Sequence, residues 1–274
     1  MICRLALPSG RWTVERVRDM TRMRVVWVLA LVLGSAMFAR GQDEEKTRKL
    51  FEGALEKMGG QAYLDVKDMV SDGNYFYFDR DGNSSGLIKF IDYTKLPDKS
   101  RFELGNSKKS KDIQVFNLEK AEGWILEGQK ETREATPDEM KDFKSAVKHS
   151  PDTIFRYRYK DPENKLFYLG PGEGSEVTFE LVKLLDPEND EVTIYFDRLS
   201  QLPGKLEYRS LDKRGVQLRY VVEYSQWHVI QGVNTPLRID TNVNGRRASQ
   251  QFIAKITYNN NLGDEVFSKP VPPK

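Results

Sequence analysis

Residues 218–258 constrain the fold more than any other part of the chain, because they read as consecutive antiparallel strands joined by recognisable turns. The run Leu218–Tyr224 leads through Trp227–Val233 to Pro236–Thr241, and Asn244-Gly245 then turns the chain into Gln251–Tyr258. Apolar and polar positions alternate along these runs, with β-branched and aromatic residues enriched. An Asn-Gly pair between the last two supplies the positive-φ positions of a tight hairpin.

The same alternation extends upstream. Met69–Asp79, Leu87–Tyr93, Ser100–Leu104, Asp112–Asn117, Gly123–Glu127, Gln129–Glu134, Thr153–Tyr159, Glu176–Leu184, Asp190–Asp197 and Leu202–Ser210 all read as short strands. Only two segments have helical spacing. Glu44–Met58 places Leu50, Phe51, Ala54, Leu55 and Met58 on one face before Gly59-Gly60. Thr136-Pro137-Asp138-Glu139 is a capping box with proline at the first helical position, and predicts a helix over 137–148. So many strands with so few helices predict a mainly β (α+β) fold. The expected form is a single large curved antiparallel sheet, an unclosed β-barrel whose apolar concave face is covered by about two helices. A two-sheet sandwich is the alternative.

Near the start, Met23-Arg24 precedes the apolar run Val25–Leu33, and Ala39-Arg40-Gly41 supplies small residues before Gln42. This is the pattern of a cleavable signal peptide, and the run is shorter than the ~20 residues of a membrane span. The expected organisation is an upstream mis-start or extended leader over 1–22, a signal peptide over 23–41 and one domain over 42–274. The sole cysteine, Cys3, falls in the leader. The mature chain therefore has no thiol for disulfides, metal ligation or nucleophilic chemistry, which fits a bacterial envelope. Without residues 1–41 the chain keeps 36 basic against 39 acidic residues, a net charge of −3. That removes the electrostatic support for a nucleic-acid partner.

Candidate chemistry is sparse. The two histidines, His149 and His228, lie far apart in sequence without HExxH-type spacing, so no metal site is expected. Ser150, His149 and Asp152 are sequence neighbours without a GxSxG elbow, which argues against a catalytic triad. Gly170-Pro171-Gly172-Glu173-Gly174 lacks the GK[ST] of a phosphate loop and reads as a surface turn, and Lys108-Lys109-Ser110-Lys111 reads as a solvated hairpin tip. Neither catalytic residues nor cofactors are expected. The aromatic strands carry more weight. Period two sends Phe155, Tyr157 and Tyr159 to one face and Arg156, Arg158 and Lys160 to the solvent face. Tyr75-Phe76-Tyr77-Phe78 is aromatic on both faces. Phe155, Tyr157, Tyr159, Tyr75, Tyr77 and Trp124 are the candidate lining of an apolar pocket.

Several short blocks, in order along the mature chain, resemble the LolA-like family of exported proteins. Ala54–Gly60 with Val66-Lys67-Asp68 and Gly73 is similar to that family's opening helix and first strand. Lys95–Arg101 and Glu122-Gly123-Trp124 resemble its next strands. Asp197–Pro203, Tyr224, Gly232-Val233, Pro236, Ile256–Asn259, Phe267 and Pro270 resemble its closing hairpins. The resemblance implies an unclosed barrel lidded by helices and a hollow that takes acyl chains. It points to a periplasmic, non-enzymatic carrier of a lipid, lipoprotein or other amphiphile, without a transmembrane span in the mature chain. The rival readings are an envelope interaction or sensor module with a protein partner, and an envelope hydrolase with an unrecognised site.

Overall fold

The structure is a computed structural model that describes residues 43–107, 111–128, 130–173, 178–212 and 214–272. The chain divides into two units, 1–45 and 46–274, and the second holds the whole sheet. The leader expected over 1–41 lies outside the described residues. Helix α1 covers 46–57 of the second unit and α2 is Gln61–Leu64. Strands β1 to β6 follow as Asp68–Tyr77, Ile88–Lys95, Lys99–Leu104, Asp112–Asn117, Glu122–Leu126 and Arg133–Glu134. Helices α3 (Pro137–Lys148) and α4 (Pro151–Arg156) come next, then a 3-10 turn at Arg158–Lys160. The remaining strands are β7 Lys165–Glu173, β8 Thr178–Leu185, β9 Glu191–Asp197, β10 Pro203–Leu211, β11 Gln217–Ile230, β12 Val233–Val243 and β13 Arg246–Tyr258.

All thirteen strands among the described residues belong to one antiparallel sheet, in the order β6-β5-β4-β3-β2-β1-β13-β12-β11-β10-β9-β8-β7. The sandwich alternative is thereby excluded. Two meanders meet where β1 pairs with β13, and β6 and β7 are left as the two edges. The Asn244-Gly245 hairpin forms as its dipeptide requires, with φ of 52° and 78°.

Helix α3 shows how strongly the sheet curls. Phe143 stacks on Phe116 of β4 at 4.5 Å, and two residues later the Ser145 hydroxyl donates to the Ser210 hydroxyl of β10 at 3.1 Å. In the sheet order β4 and β10 are seven steps apart, roughly 34 Å across a flat sheet at about 4.8 Å per step. A twelve-residue helix is only about 18 Å long. The two halves must bend toward each other for one helix to touch both, so the sheet is an unclosed half-barrel with α3 across its concave side.

The main core fills one side of this hollow. Strand β9 alternates strictly, with Val192, Ile194 and Phe196 buried. They meet Val182 and Leu184 of β8, Leu206 of β10, and Phe51 and Ala54 of α1 with Ile154 and Phe155 of α4. On the convex face a C-terminal strap, residues 260–272, crosses β2 to β5. Phe267 packs with Ile113, Val115 and Leu126, and Asp264 pairs with Lys95 at 2.9 Å and Lys99 at 3.3 Å.

Three local expectations are corrected. Residues 153–159 are not a strand, because Ser150 caps α4, Pro151 occupies its first position, and Ile154, Phe155, Arg158 and Tyr159 turn inward at helical spacing. Arg156 and Arg158 are consequently not solvent-facing. Arg156 donates to Leu64 O at 2.9 Å and Tyr63 O at 2.6 Å, while Arg158 is buried and pairs with Asp186 and Asp190, each at 3.3 Å. Gly170-Pro171-Gly172 is part of β7 rather than a turn, with a bulge between Tyr168 and Gly170. Pro171 is tolerated there because β7 is an edge. Two short helices, α2 and α4, join the two expected, giving four among the described residues.

Candidate ligand hollow

Direct cross-strand partners share a face of the sheet, so the contacts of α3 fix which residues point inward. Phe116 pairs with Ser100, which pairs with Thr94. Residues of the same parity on β2 are Ile88, Phe90 and Asp92, and their partners include Tyr75 on β1 and Phe102 on β3. On the far wall Ser210 sets the parity of Tyr208. Tyr220 and Tyr224 follow on β11 and Ile239 on β12.

The inner face away from the core is therefore aromatic. Tyr75 and Tyr77 lie edge to face at 4.8 Å, Tyr75 meets Phe102 at 5.8 Å, and Phe90 stacks with Phe102 at 5.8 Å. Opposite them Tyr208 stacks on Tyr220 at 5.1 Å and on His149 at 4.1 Å. Burial pushes the Tyr75 phenol up and the Tyr77 phenol up to about 12. Yet Tyr75, Phe102, Tyr220 and Tyr224 keep accessible surface, and Tyr77 is 42% exposed. These rings are recessed yet still touch solvent, in contrast to the fully enclosed β8 to β10 side.

One polar cluster interrupts the aromatic wall. Asp92 lies between Ser71 on β1 and Phe102 on β3, with Thr94 two residues along the same face. Among the described residues its one hydrogen bond comes from the Thr94 hydroxyl at 3.4 Å, and burial pushes its carboxyl up to about 6. Two further carboxylates stand beside the phenols: Asp112 acts on Tyr77 and Asp142 of α3 on Tyr220.

The six residues expected to line a pocket are distributed differently. Tyr75 and Tyr77 are on the inner face and in contact. Phe155 is wholly enclosed in the α1–α4 core, Tyr159 stacks flat on Phe51 at 4.7 Å, and Tyr157 ends α4 with 52% exposure. Trp124 is on the convex face, paired with Val115 and covered by Lys269 at 4.8 Å. Sequence reasoning missed Asp92 and Phe102. The alternation Ile88-Lys89-Phe90-Ile91-Asp92-Tyr93-Thr94 carried the signal, since it sets an acid on the same face as Ile88 and Phe90.

His149 and Ser150 are engaged in helix-end contacts. His149 ends α3, with Nδ1 2.8 Å from Ser145 O and Nε2 3.0 Å from Asp190. Ser150 accepts from the Thr153 amide and donates to Val147 O, as a helix cap. Among the described residues no group of three or more His, Cys, Asp or Glu side chains could hold a metal ion, and no helix is long and apolar enough to cross a membrane.

No family model matches the sequence, and no curated protein matches it. Solved structures do match. A LolA superfamily protein from Nitrosomonas europaea superposes with a TM-score of 0.52 at 13% identity, over 81% of this chain and 97% of that one. A DUF1329 family protein from Desulfovibrio piger gives 0.54 at 12% identity, over 81% and 97%. At such identity the likeness concerns backbone architecture, and together with the open thirteen-stranded sheet under its helical lid it gives the conclusion that this chain has a LolA-like fold.

Proposed function

We propose that the protein is a non-enzymatic binding protein of the periplasm that carries a lipid, lipoprotein acyl chain or other amphiphile in the hollow under α3. The carrying observation is the partly accessible aromatic inner face formed by Tyr75, Tyr77, Phe102, Tyr220 and Tyr224, beside a core that is otherwise closed. An alkyl chain laid on that face gains about 0.8 kcal/mol per methylene removed from water. A dozen methylenes contribute about 10 kcal/mol, which is comparable to the roughly 4–15 kcal/mol that association costs. The leader-like residues 23–41 support export, with a cut near Gly41-Gln42. The fold supports the same reading, since a LolA superfamily protein shares it.

Native mass spectrometry of protein purified from the periplasm tests this. The expected result is a mature chain beginning near Gln42 with a co-purifying amphiphile that leaves on organic extraction. A chain that carries no adduct and binds no fluorescent long-chain probe would overturn the reading.

A further inference from the structure

The hollow has one feature that a passive apolar groove does not need. A carboxylate withdrawn from water normally accepts two or three hydrogen bonds or pairs with a cation, and Asp92 is half-buried. Asp92 receives one long bond from Thr94, and among the described residues no lysine, arginine or histidine pairs with it. Its direct neighbours on the inner face are the Ser71 hydroxyl, the Thr94 hydroxyl and the Phe102 ring, with Phe90 and Tyr75 completing the aromatic cluster. Neither Ser71 nor Thr94 can neutralise a carboxylate. Both can accept a hydrogen bond from the same donor that Asp92 accepts from.

The surrounding chemistry selects the sign of the missing partner. Ring faces attract cations and repel anions, and Phe102, the cross-strand partner of Asp92, has the Tyr75 and Phe90 rings each 5.8 Å away. The further carboxylates near the hollow, Asp112 by Tyr77 on the near wall and Asp142 by Tyr220 on the far wall, add negative potential. An anionic head group at Asp92 would face like charge, and among the described residues no cation pairs with that carboxylate. A protonated amine would meet a carboxylate, two hydroxyl acceptors and aromatic faces together.

Resting on the proposed carrier role, we infer that the hollow is selective for a cationic amphiphile, a protonated amine on a long hydrocarbon chain, with Asp92 as the counter-ion and Ser71, Thr94 and Phe102 around the head group. The alkyl chain then runs along Tyr75, Tyr77 and the facing β11 tyrosines.

The test compares three probes of equal chain length, below their micellar concentrations, by calorimetric titration at pH 7.5. These are dodecylamine, sodium dodecanoate and the neutral 1-dodecylglycerol. The expected result is amine binding at least about tenfold tighter than the other two. Asp92→Asn should remove that preference while leaving dodecylglycerol affinity within about twofold, because the chain contacts remain. Equal affinity for all three on the wild type overturns the inference and leaves the carrier reading standing. Binding of none of the three overturns both. The wild-type comparison does not depend on the variant's folding, and a thermal melt of Asp92→Asn checks that separately.

Discussion

At the scale of single residues, the charged groups inside the half-barrel fall into two kinds with opposite effects on stability. Arg158 is buried and held between Asp186 and Asp190, which Lys148 and His149 also contact. Arg158→Glu would bury a like charge against two carboxylates, and is expected to cost about 3–5 kcal/mol in urea denaturation. Asp190 follows the usual carboxylate sign. Burial pushes it up, but bonds to His149 and Lys148 prevail and hold it down at about 2. Its contribution is therefore present above about pH 4 and is lost as pH falls toward 2. Asp92 has the opposite sign. Its folded value of about 6 lies above the ordinary 3.8. The folded chain then binds the extra proton between about pH 4 and 6, and stability falls as pH rises through that window. Asp92→Asn should raise the melting temperature above pH 6, by an amount worth on the order of 2 kcal/mol, and change it little below pH 4. A variant less stable at pH 7.5 than the parent would show that the carboxylate is better satisfied than its single bond indicates.

At the scale of elements, α3 is a lid whose position depends on its two ends and one glycine. Its start is fixed by the capping box, Thr136 accepting from the Glu139 amide at 3.3 Å while Glu139 accepts from the Thr136 amide at 2.7 Å. Arg133 of β6 then holds Glu139 through two bonds of 2.8 Å. Thr136→Ala should cost about 1 kcal/mol, seen as a lower urea midpoint at unchanged slope. The close approach of α3 to β5 requires Gly123. A Cβ there would stand 2.6 Å from Met140 Sδ and 2.7 Å from Ala135 Cβ. Gly123→Val should push the helix from the sheet, seen as faster hydrogen exchange over 137–148 than over β9.

At the scale of the whole molecule, the sheet is a spring of thirteen strands held curled by a crossover that joins its own two edges. The contact between Ser145 and Ser210 is where that crossover closes on the far wall. A chain without cysteine beyond position 3 allows a clean test. In the double variant Ser145→Cys, Ser210→Cys, oxidation should clasp the lid to β10 and slow release of a bound fluorescent amphiphile by at least about tenfold, reversibly with dithiothreitol. Unchanged release from a verified disulfide form would show that the ligand leaves without movement of α3.

The sequence by itself determined the local grammar of this protein. Alternation placed most strands within a residue or two, Asn244-Gly245 specified its hairpin, and Thr136 to Glu139 specified the start of α3, because turn and cap chemistry are satisfied by neighbours in the chain. It read 153–159 as a strand because alternating aromatics suit period two. The competing signals, Ser150 as cap and Pro151 at the first position, prevailed once Ile154 and Phe155 could fill the core under α1. Face assignment needed the tertiary structure. Tyr75 and Trp124 look alike in sequence, and only the register with β13 and β2 turns one into the hollow, while the strap carrying Phe267 covers the other. Asp92 was equally unreadable as special, since a carboxylate in an alternating strand is ordinary until the sheet curls and sets it among rings, where desolvation and the scarcity of donors give it its character.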